Sequence, residues 1–156
     1  MGWNPCVDFS RGRIADLFAG REKVTIADVF DVDMRQDEQL WVALREVFFD
    51  PWELETMAMH FMLHVGDLAS HGNQYVRNAI LNATMASTGN FDLLPEDERQ
   101  DRWKKGATNS EKRAALSALW IATARADMET GKEQRMKAWN KERDWQVKHV
   151  KEKAGI

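Results

Sequence analysis

The sequence predicts an all-α fold, because apolar residues recur at helical spacing, no alternating run rich in Val, Ile and Thr is present, and helix breakers are few. Three prolines and nine glycines stand among 156 residues that are 44% hydrophobic and 30% charged. That balance suits amphipathic helices packed around one core better than sheet or disorder. A chain of this length buries roughly 70% of its unfolded surface on folding. Residues 1–156 are therefore expected to form a single domain, an irregular single-domain helical bundle of about six to seven helices.

The elements follow from local signals. In residues 1–22, Pro5, Gly12 and Gly20 surround a short apolar pattern at Ile14, Leu17 and Phe18, which predicts an irregular arm carrying one short helix. Thr25 can cap a brief helix over Ile26 to Phe30, and Asp37 a second one containing Leu40, Trp41, Leu44, Val47 and Phe48. Asp50, Pro51 and Glu53 place a side-chain acceptor, a residue needing no N–H, and a reciprocal acid at cap, first and third positions. The helix they start is expected to run to about Ser70. His71, Gly72 and Asn73 mark a turn, after which Val76, Ala79, Ile80 and Ala83 share a helix face that stops near Gly89 and Asn90. Leu94 to Glu98 reads as another helix start, polar and exposed, ending near Gly106.

Ser110 can open a helix whose Ala114, Ala115, Leu116, Ala118, Leu119, Trp120, Ile121, Ala122, Ala124 and Ala126 cover nearly every side. Such a segment, near 110–130, is expected to be the buried centre of the bundle. Gly131 breaks the pattern before a charged C-terminal helix over 132–156, where Met136, Trp139, Val147 and Val150 make a stripe interrupted by Arg143. Seven tryptophans, Trp3, Trp41, Trp52, Trp103, Trp120, Trp139 and Trp145, fall mostly in these helices, and most are expected to anchor the core.

Composition and motifs exclude several function classes. Cys6 is the one cysteine, so no internal disulfide or Cys-rich zinc site can be built, and a reducing compartment fits best. The start of the chain lacks a signal-peptide pattern, and its longest mainly apolar run, Met57 to Val65, contains His60 and His64; a cytoplasmic protein with no membrane partner is expected. No Gly-rich phosphate loop and no Gly-x-Ser-x-Gly elbow occurs, and Cys6 has no nearby base. No catalytic residue and no cofactor is assigned, and the expectation is a protein that is not an enzyme.

The stretch Lys23-Val24-Thr25-Ile26-Ala27-Asp28-Val29-Phe30 is followed by Leu40-Trp41-Val42-Ala43-Leu44-Arg45 and then by Phe49-Asp50-Pro51-Trp52-Glu53-Leu54. In that order, over residues 23–65, it resembles all-α immunity proteins of bacterial toxin systems and related proteins of phages and prophages. Those proteins place a Thr-led turn before an LWVALR-like helix and then an Ala/Cys-rich helix, where this chain has one rich in Met and His. The resemblance implies an all-α fold and a mobile-element setting, and it carries over no catalytic residue.

Two constellations remain. His60, His64, Asp67 and His71 recur at i, i+4, i+7 and i+11 on one stripe, a spacing that can place metal ligands on a common face, although Phe61 stands where a zinc protease needs Glu. The alternative is a polar boundary stripe with a hydrogen-bonded histidine. Charge is also segregated: residues 28–55 hold nine acids against Arg35 and Arg45, a balance of minus seven, whereas residues 132–153 hold eight Lys or Arg against four acids, a balance of plus four. An acidic face around Asp31, Asp33 and Asp37 with Trp52 as anchor fits a basic groove on a protein partner. Trp145, pushed away from its own helix's stripe beside Lys141 and Lys148, offers a second contact or else packs against the N-terminal arm or the segment from Leu94 to Lys105.

The leading expectation is a phage- or mobile-element-encoded inhibitor, an immunity or anti-defence protein in the manner of an anti-CRISPR, that blocks a toxin, nuclease or other host protein by occluding its surface. The alternatives are a nucleic-acid-binding accessory protein using the basic C-terminal helix, a metal-binding protein using the His60/His64 stripe, and an assembly component.

Overall fold

The computed structural model describes residues 19, 22–65, 67–68, 72–95 and 106–156. The expected arm up to residue 22, with Trp3, Cys6, Ile14, Leu17 and Phe18, falls almost wholly outside these residues, as do His71 and the polar helix with Trp103 expected between Leu94 and Gly106. Among the described residues the fold is all-α: six α-helices and one 3-10 turn, with no strand. None of these helices is long and apolar enough to cross a membrane.

Most helix starts are set by local hydrogen bonds between residues three apart. Helix α1 (Ile26–Asp31) begins where Thr25 accepts from the Asp28 backbone and Asp28 accepts from the Thr25 N–H at 2.7 Å. Helix α2 (Gln36–Ala43) starts earlier than expected: the Arg35 backbone is the cap and donates to the Glu38 carboxylate at 3.1 Å. Asp37 is thereby freed from capping and faces another helix. The helix also ends early, at Leu44 with φ −83° and ψ 60°, so Val47 and Phe48 lie in the following turn. Arg45 holds that turn, its guanidinium 3.7 Å from the centre of the Trp41 ring and 3.5 Å from Glu111.

Helix α3 (Pro51–Leu63) has the expected capping box, with Asp50 accepting from the Glu53 N–H at 2.8 Å and Glu53 accepting from the Asp50 N–H at 2.9 Å. It stops at Leu63, not near Ser70, and His64 is its C-cap. Helix α4 (Gln74–Ser87) is capped by Asn73 and ends as expected at Gly89, whose φ of +82° is a backbone conformation that favours glycine. Gly72, just before it, is required for another reason: a Cβ there would lie 2.5 Å from the Val76 side chain. A 3-10 turn (Phe91–Leu93) follows. Helix α5 (Asn109–Asp127) is capped by Thr108 with Glu111 as its reciprocal acid, two residues ahead of the expected Ser110. Gly131 caps helix α6 (Lys132–Ala154).

Helix α5 is the central element. Ala114, Ala115, Leu116, Ser117, Ala118, Ile121, Ala122 and Ala124 are all buried, and the small side chains let α3, α4 and α6 approach its axis closely. One apolar cluster gathers Val29, Leu40, Leu44, Leu54, Met57, Phe61, Leu116 and Val150; a second gathers Val65, Leu68, Val76, Ala79, Ala83, Ile121 and Ala124, and Trp120 packs against both. The tryptophans differ from expectation. Trp41, Trp120, Trp139 and Trp145 are only partly buried and Trp52 is exposed, so Phe, Leu, Met and Ile fill the centre while indoles border it.

Helix α6 departs further. Its buried face is Glu142, Arg143, Gln146, Val147 and Val150, and Met136 is 37% exposed. Arg143 is therefore the middle of the inward face and no interruption of it. Its guanidinium donates to Asp37 at 2.6 Å and to the side-chain Oε1 of Gln146 at 2.8 Å, and it lies 4.9 Å from the centre of the Trp139 ring. Gln146 in turn donates to the Ala118 carbonyl of α5 at 2.8 Å. Burial pushes the guanidinium's pKa below its ordinary value, and Asp37 opposes that shift.

Replacing Arg143 by Ala strands Asp37 and Gln146 inside the α2–α6 junction. The expected loss is about 3–5 kcal/mol of unfolding free energy, read from urea denaturation. The pair of changes Asp37→Asn and Arg143→Met is expected to lose less than Arg143→Ala alone, because no charge is left without its partner.

Candidate functional site

The histidines of α3 turn toward α6. The His60 Nδ1 is 3.1 Å from the His149 Nε2, and the His64 Nδ1 is 2.9 Å from the buried Glu142 carboxylate. Asp67 lies 3.6 Å from Arg125, which also approaches Glu142 at 3.5 Å and donates to the His64 carbonyl at 2.8 Å. The stripe of His60, His64 and Asp67 is thus divided among separate partners. Among the described residues no group of three or more His, Cys, Asp or Glu is arranged to hold a metal ion, and His71 lies outside them.

Trp145 fills the space between the two helices. Its ring is stacked on His64, with centroids 3.5 Å apart and planes inclined by 6°, and His149 also lies near parallel to it at 5.2 Å. Phe61 meets both Trp145 and His149 edge-on from the core side. The expectation that Trp145 is a free surface anchor is therefore corrected: it is half-buried, and it packs on α3. Helical geometry explains the result. Glu142, Trp145 and His149 recur at i, i+3 and i+7 and so share a face, which meets the i, i+4 pair His60 and His64 across the seam. Sequence reading of α3 alone missed Glu142 and His149, although their spacing around Trp145 is a visible signal.

The contact between His60 and His149 sets a condition on their protons. Between His60 and His149, one nitrogen must donate and the other accept, so the contact needs at least one neutral ring. Burial pushes His149 below its ordinary value of 6.5, and the nearby His60 and Lys153, and to a lesser degree His64, act in the same direction while Glu152 opposes them.

The acid-rich stretch dissolves on inspection into separate structural jobs. Asp28, Asp50 and Glu53 serve caps, Glu46 accepts from Thr108, Glu55 pairs with Arg113, and Glu38 is buried. Asp37 is held by Arg143, with 15% of its side chain exposed, and so leaves the set of surface contacts. Asp31 and Asp33 are exposed. On α6, Arg135 pairs with Asp127, Lys137 with Glu133 and Lys148 with Glu152, while Lys141 is exposed. Trp52 is 72% exposed on the first turn of α3.

Because the folded state holds the His149 proton less tightly than the unfolded chain, its contribution to stability is complete above about pH 6.5 and is lost as pH falls through the lowered folded value. The urea midpoint is expected to drop between pH 7.5 and pH 5, and His149→Gln to flatten that drop. Ring-proton NMR checks the cause directly: a His149 midpoint at or above 6.5 rejects the burial account. No family model, curated protein or solved structure matches this chain.

Proposed function

We propose that this chain is a non-enzymatic protein-binding module that inhibits a partner by covering its surface, in the manner of an immunity or anti-defence protein. The observation that carries the reading is the exposure of Trp52. An indole is costly to leave in water, and Trp is the side chain most enriched among the residues that dominate protein interfaces. Its neighbours in sequence, Asp50 and Pro51, are exposed as well, and the acids Asp31 and Asp33 are also exposed. Exposed acids steer the encounter with a basic partner.

The distribution of the other charges supports the same reading over nucleic-acid binding. Four of the basic side chains of α6, Arg135, Lys137, Arg143 and Lys148, face carboxylates of the same chain, which dilutes any phosphate-binding field. A mobile-element origin rests on the resemblance of residues 23–65 alone.

Capture from a bacterial lysate with the full chain as bait tests the proposal. A stoichiometric protein partner is expected, and Asp31→Lys with Asp33→Lys is expected to weaken its capture by about tenfold at low salt. Recovery of nucleic acid without protein, with gel retardation that disappears as salt rises, would replace this function by the accessory-protein reading.

A further inference from the structure

Helix α3 is apolar on two opposite sides. Leu54, Met57, Ala58 and Phe61 are buried against the core, whereas Trp52, Met59 and Leu63 stand 72%, 48% and 73% exposed. With half-exposed Thr56 these recur at i, i+4, i+7 and i+11, a spacing that keeps them in one line on the outward face. The Thr56 hydroxyl donates to the Trp52 carbonyl at 2.8 Å, so it asks nothing of a partner. At 1.5 Å rise per residue the line is about 16 Å long, the reach of three helical turns. A helix apolar all round is normally buried on all sides, and here one side has no covering element among the described residues.

The border of this line is acidic. Helix α3 contains Glu53 and Glu55 and no Lys or Arg, Asp50 is exposed at its start, and Asp67 has 73% of its side chain exposed beyond its end. Glu55 and Asp67 each have an arginine at their inner side, Arg113 at 3.0 Å and Arg125 at 3.6 Å. Asp50 and Glu53 accept the backbone N–H groups of the capping box, and among the described residues no Lys or Arg side chain pairs with either.

We infer that the outward face of α3 is a docking surface for a basic amphipathic helix of a partner protein, whose apolar stripe covers Trp52, Met59 and Leu63 and whose Lys or Arg side chains reach Asp50, Glu53 and Asp67. The inference deepens the protein-binding reading and rests on it. Charge decides the occupant. A second copy paired antiparallel through the same face would set Asp50 and Glu53 of one molecule against Asp67 of the other, acid against acid, and an anionic membrane or a nucleic acid would meet the same repulsion. A helix with residues at i, i+3, i+4 and i+7 facing the line and cations beside them satisfies both the apolar and the charged part of the surface.

The probe is an 18-residue Leu/Lys peptide with one apolar stripe, labelled for fluorescence anisotropy, compared with the same stripe carrying Glu in place of Lys and with a scrambled Leu/Lys sequence. The full chain is expected to bind the Leu/Lys helix at least tenfold more tightly than either control, with affinity falling as salt rises. Met59→Ser with Leu63→Ser, or Trp52→Ser alone, is expected to remove at least tenfold of that affinity while far-UV dichroism and the urea midpoint stay within those of exposed-site changes. Hydrogen exchange is expected to slow over residues 52–63 when the peptide is added to the unaltered chain, a readout that needs no variant to fold. Equal binding of the scrambled peptide, affinity unchanged in both variants, or protection elsewhere in the chain would overturn the inference. So would sedimentation showing a dimer of this chain that Met59→Ser with Leu63→Ser dissociates. If lysate capture succeeds with the Met59 and Leu63 variant as bait, protein binding stands and this surface fails; if no partner is captured by any form, the broader reading fails first.

Discussion

A guanidinium removed from water must be met by fixed acceptors, and Arg143 is the group around which the C-terminal half of this fold is arranged. Helix α6 is too polar to be held by apolar contact alone: Val147 and Val150 are its buried aliphatic residues, whereas Glu142, Arg143 and Gln146 are equally buried. Its attachment therefore depends on partners supplied by three other helices. Asp37 of α2 takes the guanidinium, the Ala118 carbonyl of α5 takes the Gln146 amide, and His64 of α3 with Arg125 of α5 meets Glu142. Each such bond is directional, so the helix is fixed in rotation and register as well as in position.

The alanines of α5 make that arrangement geometrically possible. Ala114, Ala118, Ala122 and Ala124 bring neighbouring backbones close enough for a glutamine on α6 to reach a main-chain carbonyl of α5. The opposite choice appears at the α3–α6 seam. There the space between helices is filled by rings, with Trp145 stacked on both His64 and His149. Small residues at one junction and stacked rings at the other give α6 two differently built contacts.

The parts of the fold written in short-range chemistry are legible in the sequence. Thr25 with Asp28, Asp50 with Glu53, and Asn73 before Val76 are bonds between residues three apart, and the starts of α1, α3 and α4 follow from them. The burial of α5 is equally readable, since its alanines and leucines cover nearly every side of it. Long-range pairs are not readable in this way. Arg143 looks like a defect in an apolar stripe until Asp37, more than a hundred positions earlier, is placed beside it, and Asp37 looks like a cap until Arg35 takes that role. The early stop of α2 at Leu44 depends on Arg45 finding both the Trp41 ring and Glu111, a residue of another helix.

The same distinction governs what charge counts can say about function. A stretch with seven more acids than bases suggests a broad negative face, yet caps, buried pairs and links between helices account for most of its carboxylates. The basic balance of α6 is spent in a similar way on Asp37, Asp127, Glu133 and Glu152. A charge already paired with an opposite charge within the fold gives little field to a partner, because its potential is cancelled at short range and screened beyond about 10 Å. What remains to define a contact surface is the residue that costs free energy where it stands. On α3 those residues are Trp52, Met59 and Leu63, apolar side chains facing water on a helix whose other side has already filled the core. Function is therefore better sought where packing is left incomplete than where charge is merely abundant.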